Sequence, residues 1–486
     1  MTSSNQAHPA SDPFQIGVET LVAAWPMLGH KLDDRRSLRD RQRPELVERY
    51  ITSSACDLAD EEQQLDFVCA PLDVLVERVD GELKFHIIEL NGTGFGGITN
   101  LPGRVLRPIL NSIEQIGATI TEPEAVVLLG ISGKEDPKRP RMNHLLHEKL
   151  LFAEALQRGL ASTHGTAHLI TADHTLAGFG LRSGPTVVLG YMKDLIDQLS
   201  HLGGSQLGFH GRPVAGILND RFCVNVLDHF GLHADLDVMR PINTCFVAGA
   251  DKAVAYDLVN AFVRDTPGAR WVPGTEFTTV YDRAQLIDAV QGWVRRGRKA
   301  VIKPHGTGIG HGIRFFLDAN ATVAEVTGQI DSSILETETF YRVRGGAFPY
   351  TVCDFIDTCR IEKPGHPLLG HKFEVRIVVY RDGAQLRAFP SVAKIASQAF
   401  DPAKPDHAAL INNVTASSEK TRKAGASFSL PLADPSALEE LGIPADALEA
   451  VGPVCTGAVR HVLDALRLHP ERYGLAAPPR SSPAGA

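Results

Sequence analysis

A glycine-rich loop that directly follows an apolar strand constrains this sequence more than any other segment. Residues 301–313 read VIKPHGTGIGHGI, and glycine occupies every second position from 306 to 312. Glycine has no Cβ, so backbone amides there can turn toward an anion, and Lys303 adds a cation at the end of the strand. We therefore predict a phosphate-binding loop, with a flexible hairpin between two strands as the alternative. The loop residues that would surround the phosphates are Gly306, Thr307, Gly308, Gly310, His311 and Gly312.

Two common phosphate motifs do not match this loop. A Walker loop requires Gly-Lys-Ser or Gly-Lys-Thr after the glycines, and none follows. A dinucleotide-binding GxGxxG opens a helix, whereas here Lys303 precedes the loop and strand character resumes at Ile313–Leu317. Within the loop, His311 is compatible with a phosphate contact and with ordinary solvation.

A second candidate site lies far upstream, at the end of a predicted strand. Glu89 and Asn91 are two positions apart, so both side chains project from the same face of that strand. Their oxygens suit Mg²⁺, which prefers oxygen ligands and fills its remaining coordination positions with nucleotide phosphates. Asp73 lies on the preceding strand of the same hairpin and could supply a third oxygen; the turn is predicted by Asp80-Gly81. Taken alone, the pattern is more often that of a solvated strand exit.

A third group of charges begins a strand further downstream. Lys372, Glu374 and Arg376 alternate with apolar residues and therefore share one face, which predicts either a site or a solvent-facing side. Lys394 follows in an otherwise apolar run, and the pair Asn412-Asn413 comes after it.

Strand and helix signals alternate between these motifs. A continuous apolar run at Ala125–Gly130 predicts a strand buried on both faces. Helices are predicted at 142–157 and 192–202, and further strands at 167–171, 186–189 and 213–218. This alternation predicts a small parallel α/β domain over about 123–240. Helices are also predicted at 18–28, 44–51, 252–263, 283–296 and 436–466, and strands at 66–77, 84–90, 275–281, 299–303, 350–356 and 374–380.

Composition excludes several classes of protein. The chain has 486 residues, a net charge of -8 and a sequence pI of about 6.2, which argues against a nucleic-acid-binding protein. No apolar run approaches the roughly 20 residues of a membrane span, and the polar N-terminus does not read as a signal peptide. The seven cysteines form no CxxC pair. We expect a cytoplasmic protein with no membrane partner.

One histidine pair has the spacing of a helical zinc site. His144 and His147 lie one helical turn apart, but the segment HLLHE is neither HExxH nor HxxEH, and the sequence offers no third ligand nearby. We interpret the pair as part of a helix surface.

The three charged motifs together resemble the ATP-grasp superfamily over about residues 65–105 and 213–416. Asp251-Lys252 before a helix is similar to the family's first nucleotide lysine, and Lys303 with loop 306–312 to its second lysine and phosphate-covering flap. The segment 350–356 resembles the hinge strand along adenine, with Asp354 and Phe355. The strand KFEVR and the pair Asn412-Asn413 are similar to the tubulin tyrosine ligase branch.

This resemblance implies a role for each candidate residue. Lys252 and Lys303 would bind ATP phosphates, and Lys372 and Glu374 would lie near the hinge and ribose. Arg376 would contact the transferred phosphate, assisted by Lys394 and Asn413; an arginine is usual where Lys394 stands. ATP and Mg²⁺ are the implied cofactors. The implied metal ligands are Asp73, Glu89 and Asn91.

The order of the motifs departs from the family's usual order. ATP-grasp enzymes have their magnesium motif near the end of the catalytic domain, yet no asparagine follows Asn413. The resemblance therefore implies an α/β (α+β) ATP-grasp fold that is circularly permuted, as in eukaryotic glutathione synthetases, so that the metal-binding hairpin is N-terminal. The implied segments are a disordered lead (1–13), the permuted catalytic part (14–120), a preceding α/β domain (121–245), the nucleotide-binding subdomain (246–360), the remaining catalytic domain (361–471) and a flexible tail (472–486).

The resemblance implies an ATP-dependent carboxylate–amine ligase that forms an amide or peptide bond through an acyl phosphate. Small-molecule carboxylate and amine substrates would be its partners. Two alternatives stay open: a phosphotransferase acting on a small-molecule hydroxyl, and a non-catalytic nucleotide-binding protein. The sequence identifies neither substrate and leaves the oligomeric state open, a homodimer being one possibility.

Overall fold

The computed structural model describes residues 38–94, 96–131, 143–171, 183–202, 206–230, 240–307, 310–340, 347–403, 407–411 and 428–473. The predicted lead 1–13, the predicted helix at 18–28 and the tail from 474 onward lie outside these residues.

The described residues form three β-sheets and the helices that cover them. The strands are β1 Cys56–Asp57, β2 Cys69–Val79, β3 Glu82–Leu90, β4 Val126–Ile131, β5 His168–Thr171, β6 Thr186–Tyr191, β7 Leu199–His201, β8 Leu207–Phe209, β9 Arg212–Leu218, β10 Phe277–Val280, β11 Ala300–Pro304, β12 Arg314–Phe316, β13 Tyr350–Asp354, β14 His371–Asp382, β15 Gln385–Ala399 and β16 Ser429–Pro431. The helices are α1 Pro44–Ser53, α2 Asp60–Gln63, α3 Gly103–Ala118, α4 Asn143–His164, α5 Met192–Ile196, α6 Asp220–Phe230, α7 Phe246–Ala250, α8 Lys252–Asp265, α9 Arg283–Arg295, α10 Val323–Phe340, α11 His407–Leu410, α12 Pro435–Leu441 and α13 Ala445–Leu468.

The largest antiparallel sheet joins strands from opposite ends of the chain. Its order is β1-β15-β14-β2-β3, with β16 also paired to β15. The hairpin of β2 and β3 forms around Asp80 and Gly81, both with positive φ (50° and 84°), which confirms the hairpin prediction. Strand β2 pairs with β14, so that Asp73 lies opposite Arg376 across more than 300 residues of sequence.

A second, four-stranded antiparallel sheet has the order β10-β13-β11-β12. One of its faces packs against α9 and α10 in a separate core that includes Leu286, Ile302 and Ile330. The opposite face carries Val301, which packs with Tyr256 of α8. Because alternate residues of β11 point to opposite faces, the apolar run before the glycine loop is buried on both sides.

The third sheet contains the predicted parallel strands. Strands β5, β6, β4 and β9 run parallel in that order, and β8 and β7 extend the sheet with antiparallel pairs. The predicted helix over 192–202 was wrong in its second half. Helix α5 ends at Ile196, and Leu199–His201 pairs with β8 as strand β7, because sheet pairing outweighs the helical spacing there.

The predicted C-terminal helix over 436–466 is two helices. Gly442 adopts φ 64° after Leu441 and ends α12, and α13 begins after Pro444. A left-handed glycine is a common helix terminator. None of the described helices is long and apolar enough to cross a membrane.

Helices α3 and α4 approach each other through glycines. A Cβ built on Gly159 would lie 2.1 Å from the carbonyl oxygen of Glu114, and one on Gly117 would lie 3.0 Å from that of Leu156. Backbone atoms cannot yield as side chains can, so Gly159 requires the absence of a side chain, and a side chain at Gly117 would need the facing helix to shift by a few tenths of an ångström.

We expect Gly159→Ala to lower the free energy of unfolding by about 3 kcal/mol, because the new methyl group forces two helix backbones apart. Gly328→Ala on α10 is the matched control. A Cβ there meets nothing within 4 Å, so alanine should leave stability unchanged or raise it by up to about 1 kcal/mol. Urea unfolding followed by circular dichroism compares the two variants, and equal effects would contradict the close contact.

Candidate active site

A buried carboxylate, Asp73, lies at the centre of the predicted site. Arg376 donates through Nε to Oδ1 and through Nη2 to Oδ2, each at 2.8 Å. Lys394 Nζ lies 3.0 Å from Oδ1, and Asn91 Nδ2 donates to Oδ2 at 3.1 Å. Burial alone would raise the pKa of Asp73, but the Arg376 and Lys394 cations outweigh burial and hold the pKa below its usual range. Asp73 is therefore an anion that fixes two cations.

Glu374 completes this group. It forms a short ion pair with Lys394, its cross-strand neighbour in β15, and both side chains are buried. Burial raises the pKa of Glu374, and the nearby Asp73 charge raises it further, while Lys394 opposes both effects. The structure thus brings Glu374 to Asp73 and Lys394 in the middle of the sheet.

Lys252 links the N-terminal hairpin to the glycine loop. Lys252 is the first residue of α8, and Asp251 accepts a hydrogen bond from Ala253 N at 2.8 Å as the N-cap. The Lys252 Nζ atom lies 3.2 Å from Glu89 Oε1 and donates to the carbonyl oxygen of Thr307 at 3.4 Å. Three motifs that are separated in sequence therefore meet at one ammonium group.

Lys303 has a partner that sequence reasoning missed. Its Nζ donates to the hydroxyl of Tyr256 at 2.6 Å, and Tyr256 is 1% exposed. Tyr256 lies on α8 and packs on Val301 and Cys353 of the four-stranded sheet. In the sequence Tyr256 reads as an ordinary core aromatic, and only its position one turn after Lys252 could have suggested a link to the site.

The predicted hinge end contains a cation among aromatic rings. Lys372 Nζ lies 5.6 Å from the centre of the Phe355 ring and 4.4 Å from that of Phe400, and forms a short ion pair with Asp357. Burial lowers the pKa of Lys372, while Asp357 opposes this. Asp354 instead pairs with Arg298 at 2.6 Å, at the C-terminal end of β13.

The described glycines of the loop have a backbone conformation that favours glycine. Gly306, Gly310 and Gly312 have φ between 66° and 80°, a region that other residues rarely adopt. His311 Nδ1 lies 2.9 Å from Glu336 on α10, and this contact with His311 holds the pKa of Glu336 at about 2. Gly308 and Asn413 lie outside the described residues, as do the side chains of His144 and His147.

The predicted Mg²⁺ ligands differ in how well they fit a metal ion. Among the described residues, no group of three His, Cys, Asp or Glu side chains could hold a metal. Glu89 and Asn91 combine a partly exposed carboxylate with an amide whose nitrogen faces Asp73, so that oxygens remain for a hard cation. Asp73 accepts four hydrogen bonds, which match the roughly four acceptor positions of a carboxylate. Glu89 and Asn91 therefore fit a hard cation, whereas Asp73 fits one only if a present partner leaves.

The loop after β3 is held by a second buried carboxylate. Asp220, at the start of α6, accepts from the backbone N of Thr93 at 3.0 Å and from the Thr93 hydroxyl at 3.1 Å. A Cβ on Gly92 would lie 1.5 Å from Asp220 Oδ2, which explains glycine at that position. Burial raises the pKa of Asp220 to about 6.

Solved structures that align with this chain include two synthetases. One is a candidate gamma-glutamylcysteine synthetase from Methylobacillus flagellatus KT, with a TM-score of 0.43, 11% identity, and coverage of 96% of this chain and 99% of that one. The other is D-alanyl-alanine synthetase A from Vibrio cholerae O1 biovar eltor str. N16961, with a TM-score of 0.29, 12% identity, and coverage of 70% and 99%. The sequence matches no protein-family model and no curated protein.

We expect Asp73→Asn to lower the free energy of unfolding by about 4 kcal/mol, because it leaves Arg376 and Lys394 buried with less compensating charge. Asp288→Asn, at an exposed position of α9, is the control and should change stability by less than about 0.5 kcal/mol. Urea unfolding at pH 7 measures both variants. A loss for Asp73→Asn no larger than that of the control would show that the ion group is not intact in solution.

Asp220 should make stability fall as pH rises between about pH 4 and pH 6. In this range the folded protein keeps the proton on Asp220, while the unfolded chain, with a pKa near 3.9, has released it. The folded state then binds more protons, so its stability decreases with pH, by about 3 kcal/mol in total. Urea unfolding of wild type and Asp220→Asn at pH 4, 5, 6 and 7 isolates this contribution. A stability difference between the two that is constant with pH would contradict it.

Proposed function

We propose that this chain is an ATP-dependent carboxylate–amine ligase that forms an amide or peptide bond and releases ADP and phosphate. The observation that carries the proposal is the position of Lys252, in contact with Glu89 of the hairpin and with Thr307 of the glycine loop. Cations for phosphate, oxygens for Mg²⁺ and a loop able to cover a nucleotide are thereby concentrated in one place. Phosphoryl transfer requires groups of these kinds, because its catalysis depends on positioning and charge stabilisation.

Each residue has a distinct task in this proposal. Lys252 and Lys303 bind the ATP phosphates, and the loop 306–312 closes over them and excludes water. Glu89 and Asn91 hold Mg²⁺, with Asp73 as a further ligand if it releases one of its hydrogen bonds; the metal would neutralise phosphate charge. Lys372, Phe355 and Asp354 belong to the hinge side of the nucleotide.

Arg376 and Lys394 stabilise the transferring phosphoryl group and the negative charge that then develops on the acyl oxygen of the tetrahedral intermediate, with Asn413 assisting. Asp73 holds both cations before any substrate binds, so little reorganisation is required during the reaction. Glu374 takes part through Lys394. The amine substrate itself supplies the nucleophile, so no nucleophilic side chain is needed.

We also propose that the chain is a circular permutation of an ATP-grasp fold. The pairing of β2 with β14 supports this, because the hairpin with Glu89 and Asn91 extends the same sheet that carries Arg376 and Lys394. Residues 14–120 and 361–471 would then form one catalytic unit, 246–360 the nucleotide-binding subdomain and 121–245 a preceding domain.

The test is magnesium-dependent ADP release with pools of small carboxylates and amines, followed by mass spectrometry of the product. We expect Lys303→Ala to raise the KM for ATP by about 10- to 100-fold, because it removes a charge-assisted hydrogen bond to phosphate. Glu89→Gln should abolish magnesium-dependent ADP release. Lys193→Ala, at an exposed position of α5, is the matched control and should behave as wild type.

Hydroxylamine in place of the amine separates the alternatives. A ligase that forms an acyl phosphate yields a hydroxamate, whereas a phosphotransferase yields a stable phosphate ester. Tight ATP binding without ADP release on any carboxylate would favour a non-catalytic nucleotide-binding protein. Unchanged magnesium-dependent ADP release in Glu89→Gln would overturn the permutation proposal.

A further inference from the structure

A single peptide group lies between Arg376 and the buried carboxylate of Glu148 on α4. The Gly96 carbonyl oxygen accepts a hydrogen bond from Arg376 Nη1 at 3.1 Å. The N–H of Gly97, which belongs to the same peptide group, donates to both carboxylate oxygens of Glu148, at 3.0 and 2.8 Å. A chain of hydrogen bonds therefore runs from Glu148 on α4 through one peptide to Arg376 on β14.

Burial makes this chain energetically significant. Glu148 is 0% exposed and Arg376 is 7% exposed. A carboxylate that accepts from a peptide N–H draws positive charge to that end and strengthens the acceptor at the carbonyl end, and such cooperation is larger away from water. Thr99 also donates its hydroxyl to Glu148 Oε1 at 3.2 Å, which restricts the carboxylate.

The backbone at this peptide is specialised. Gly97 has φ 103°, so that a side chain there would strain the turn that points its N–H at Glu148. The same loop is held at its other end, where Asp220 binds Thr93. Two carboxylates from two helices thus hold the loop whose Gly96 carbonyl contacts Arg376.

We infer that Glu148 is a positioning residue for Arg376 and acts through the peptide group of Gly96 and Gly97. Asp73 fixes Nε and Nη2 of the guanidinium from its own sheet, and the Gly96 carbonyl fixes Nη1 from the loop side. The bidentate contact with Asp73 orients the guanidinium, and the Gly96 carbonyl restricts the remaining nitrogen, Nη1, which Asp73 does not contact. The catalytic consequence rests on the proposed function, because it requires Arg376 to contact the transferred phosphoryl group.

The test compares Glu148→Gln with Glu154→Gln, which removes a carboxylate at a half-buried position of the same helix. Glutamine places an amide N–H where an acceptor faced the Gly97 N–H, and it removes the charge. The ¹⁵N–¹H resonance of Arg376 Nε, assigned by its loss in Arg376→Lys, should shift in Glu148→Gln and stay in place in Glu154→Gln. This readout needs no nucleotide. Identical spectra for the two glutamine variants would overturn the inference.

Binding gives the second readout. Magnesium with ADP and aluminium fluoride mimics the transferring phosphoryl group, and magnesium with ATP reports the ground state. We expect Glu148→Gln to weaken the first by about 10-fold, the effect of one charged hydrogen bond, and to change the second by less than about 2-fold. Combination with Arg376→Lys should add nothing to the loss seen in Arg376→Lys alone. Fully additive losses would show that Glu148 acts independently of Arg376 and would overturn the inference.

The outcomes separate this inference from the proposed function. Failure of the wild type to bind magnesium and ATP would contradict the proposed function. The shift of the Arg376 resonance would still test the positioning role, because it needs no nucleotide. If Glu148→Gln does not fold, Thr99→Val makes a milder change at the same carboxylate and should shift the Arg376 resonance in a folded protein. An unshifted resonance in Thr99→Val would then count against the inference.

Discussion

The ion pair between Asp73 and Arg376 is the interaction on which the rest of the site depends. It joins β2 to β14, so that the N-terminal hairpin and a strand 300 residues later share one charged row. Lys394 and Glu374 extend the row across β15 and β14, and Glu89 extends it to β3. Buried charges of this kind contribute little net stability when paired but cost several kcal/mol when one partner is removed. The row therefore requires all its members, and it fixes the strand register on which the site is built.

Some of this arrangement was predictable from short segments. Asp80-Gly81 indicated the hairpin because only residues tolerant of positive φ suit its turn, and the even spacing of Lys372, Glu374 and Arg376 indicated a shared face. Strand β15 was missed although it carries Lys394. Its Pro390 reads against a strand interior, and the structure accommodates this proline beside a break in the register between Arg376 and Ile377.

Other contacts of the candidate site left no local signal in the sequence. Helix α3 was not predicted, because it begins at Gly103 and contains Pro108, so its sequence reads as a broken segment. Glu148 and Asp220 are charged residues on helices, which commonly face solvent, and only the tertiary fold brings the backbone N–H groups of residues 93 and 97 to them. Tyr256 is likewise an ordinary core aromatic until Lys303 reaches its hydroxyl. Sequence patterns report the faces of elements, whereas these contacts depend on which loop lies over which helix.

The cations of the candidate site are already paired with carboxylates, and this pairing affects how the site would bind a highly charged substrate. Lys252 is paired with Glu89, and the Arg376 and Lys394 cations are paired with Asp73 and Glu374. In the proposed function, Lys252 would pair with the triphosphate and Glu89 would bind Mg²⁺, so that this pair would exchange partners and the local charge would stay balanced. Arg376 and Lys394 would keep Asp73 as their counter-ion, because its buried carboxylate contacts both of them directly. In the proposed function, the site would combine one ion pair that opens for the nucleotide with one group that stays in place for the transferring phosphoryl, and the loop held by Glu148 and Asp220 would support the second group while the first rearranges.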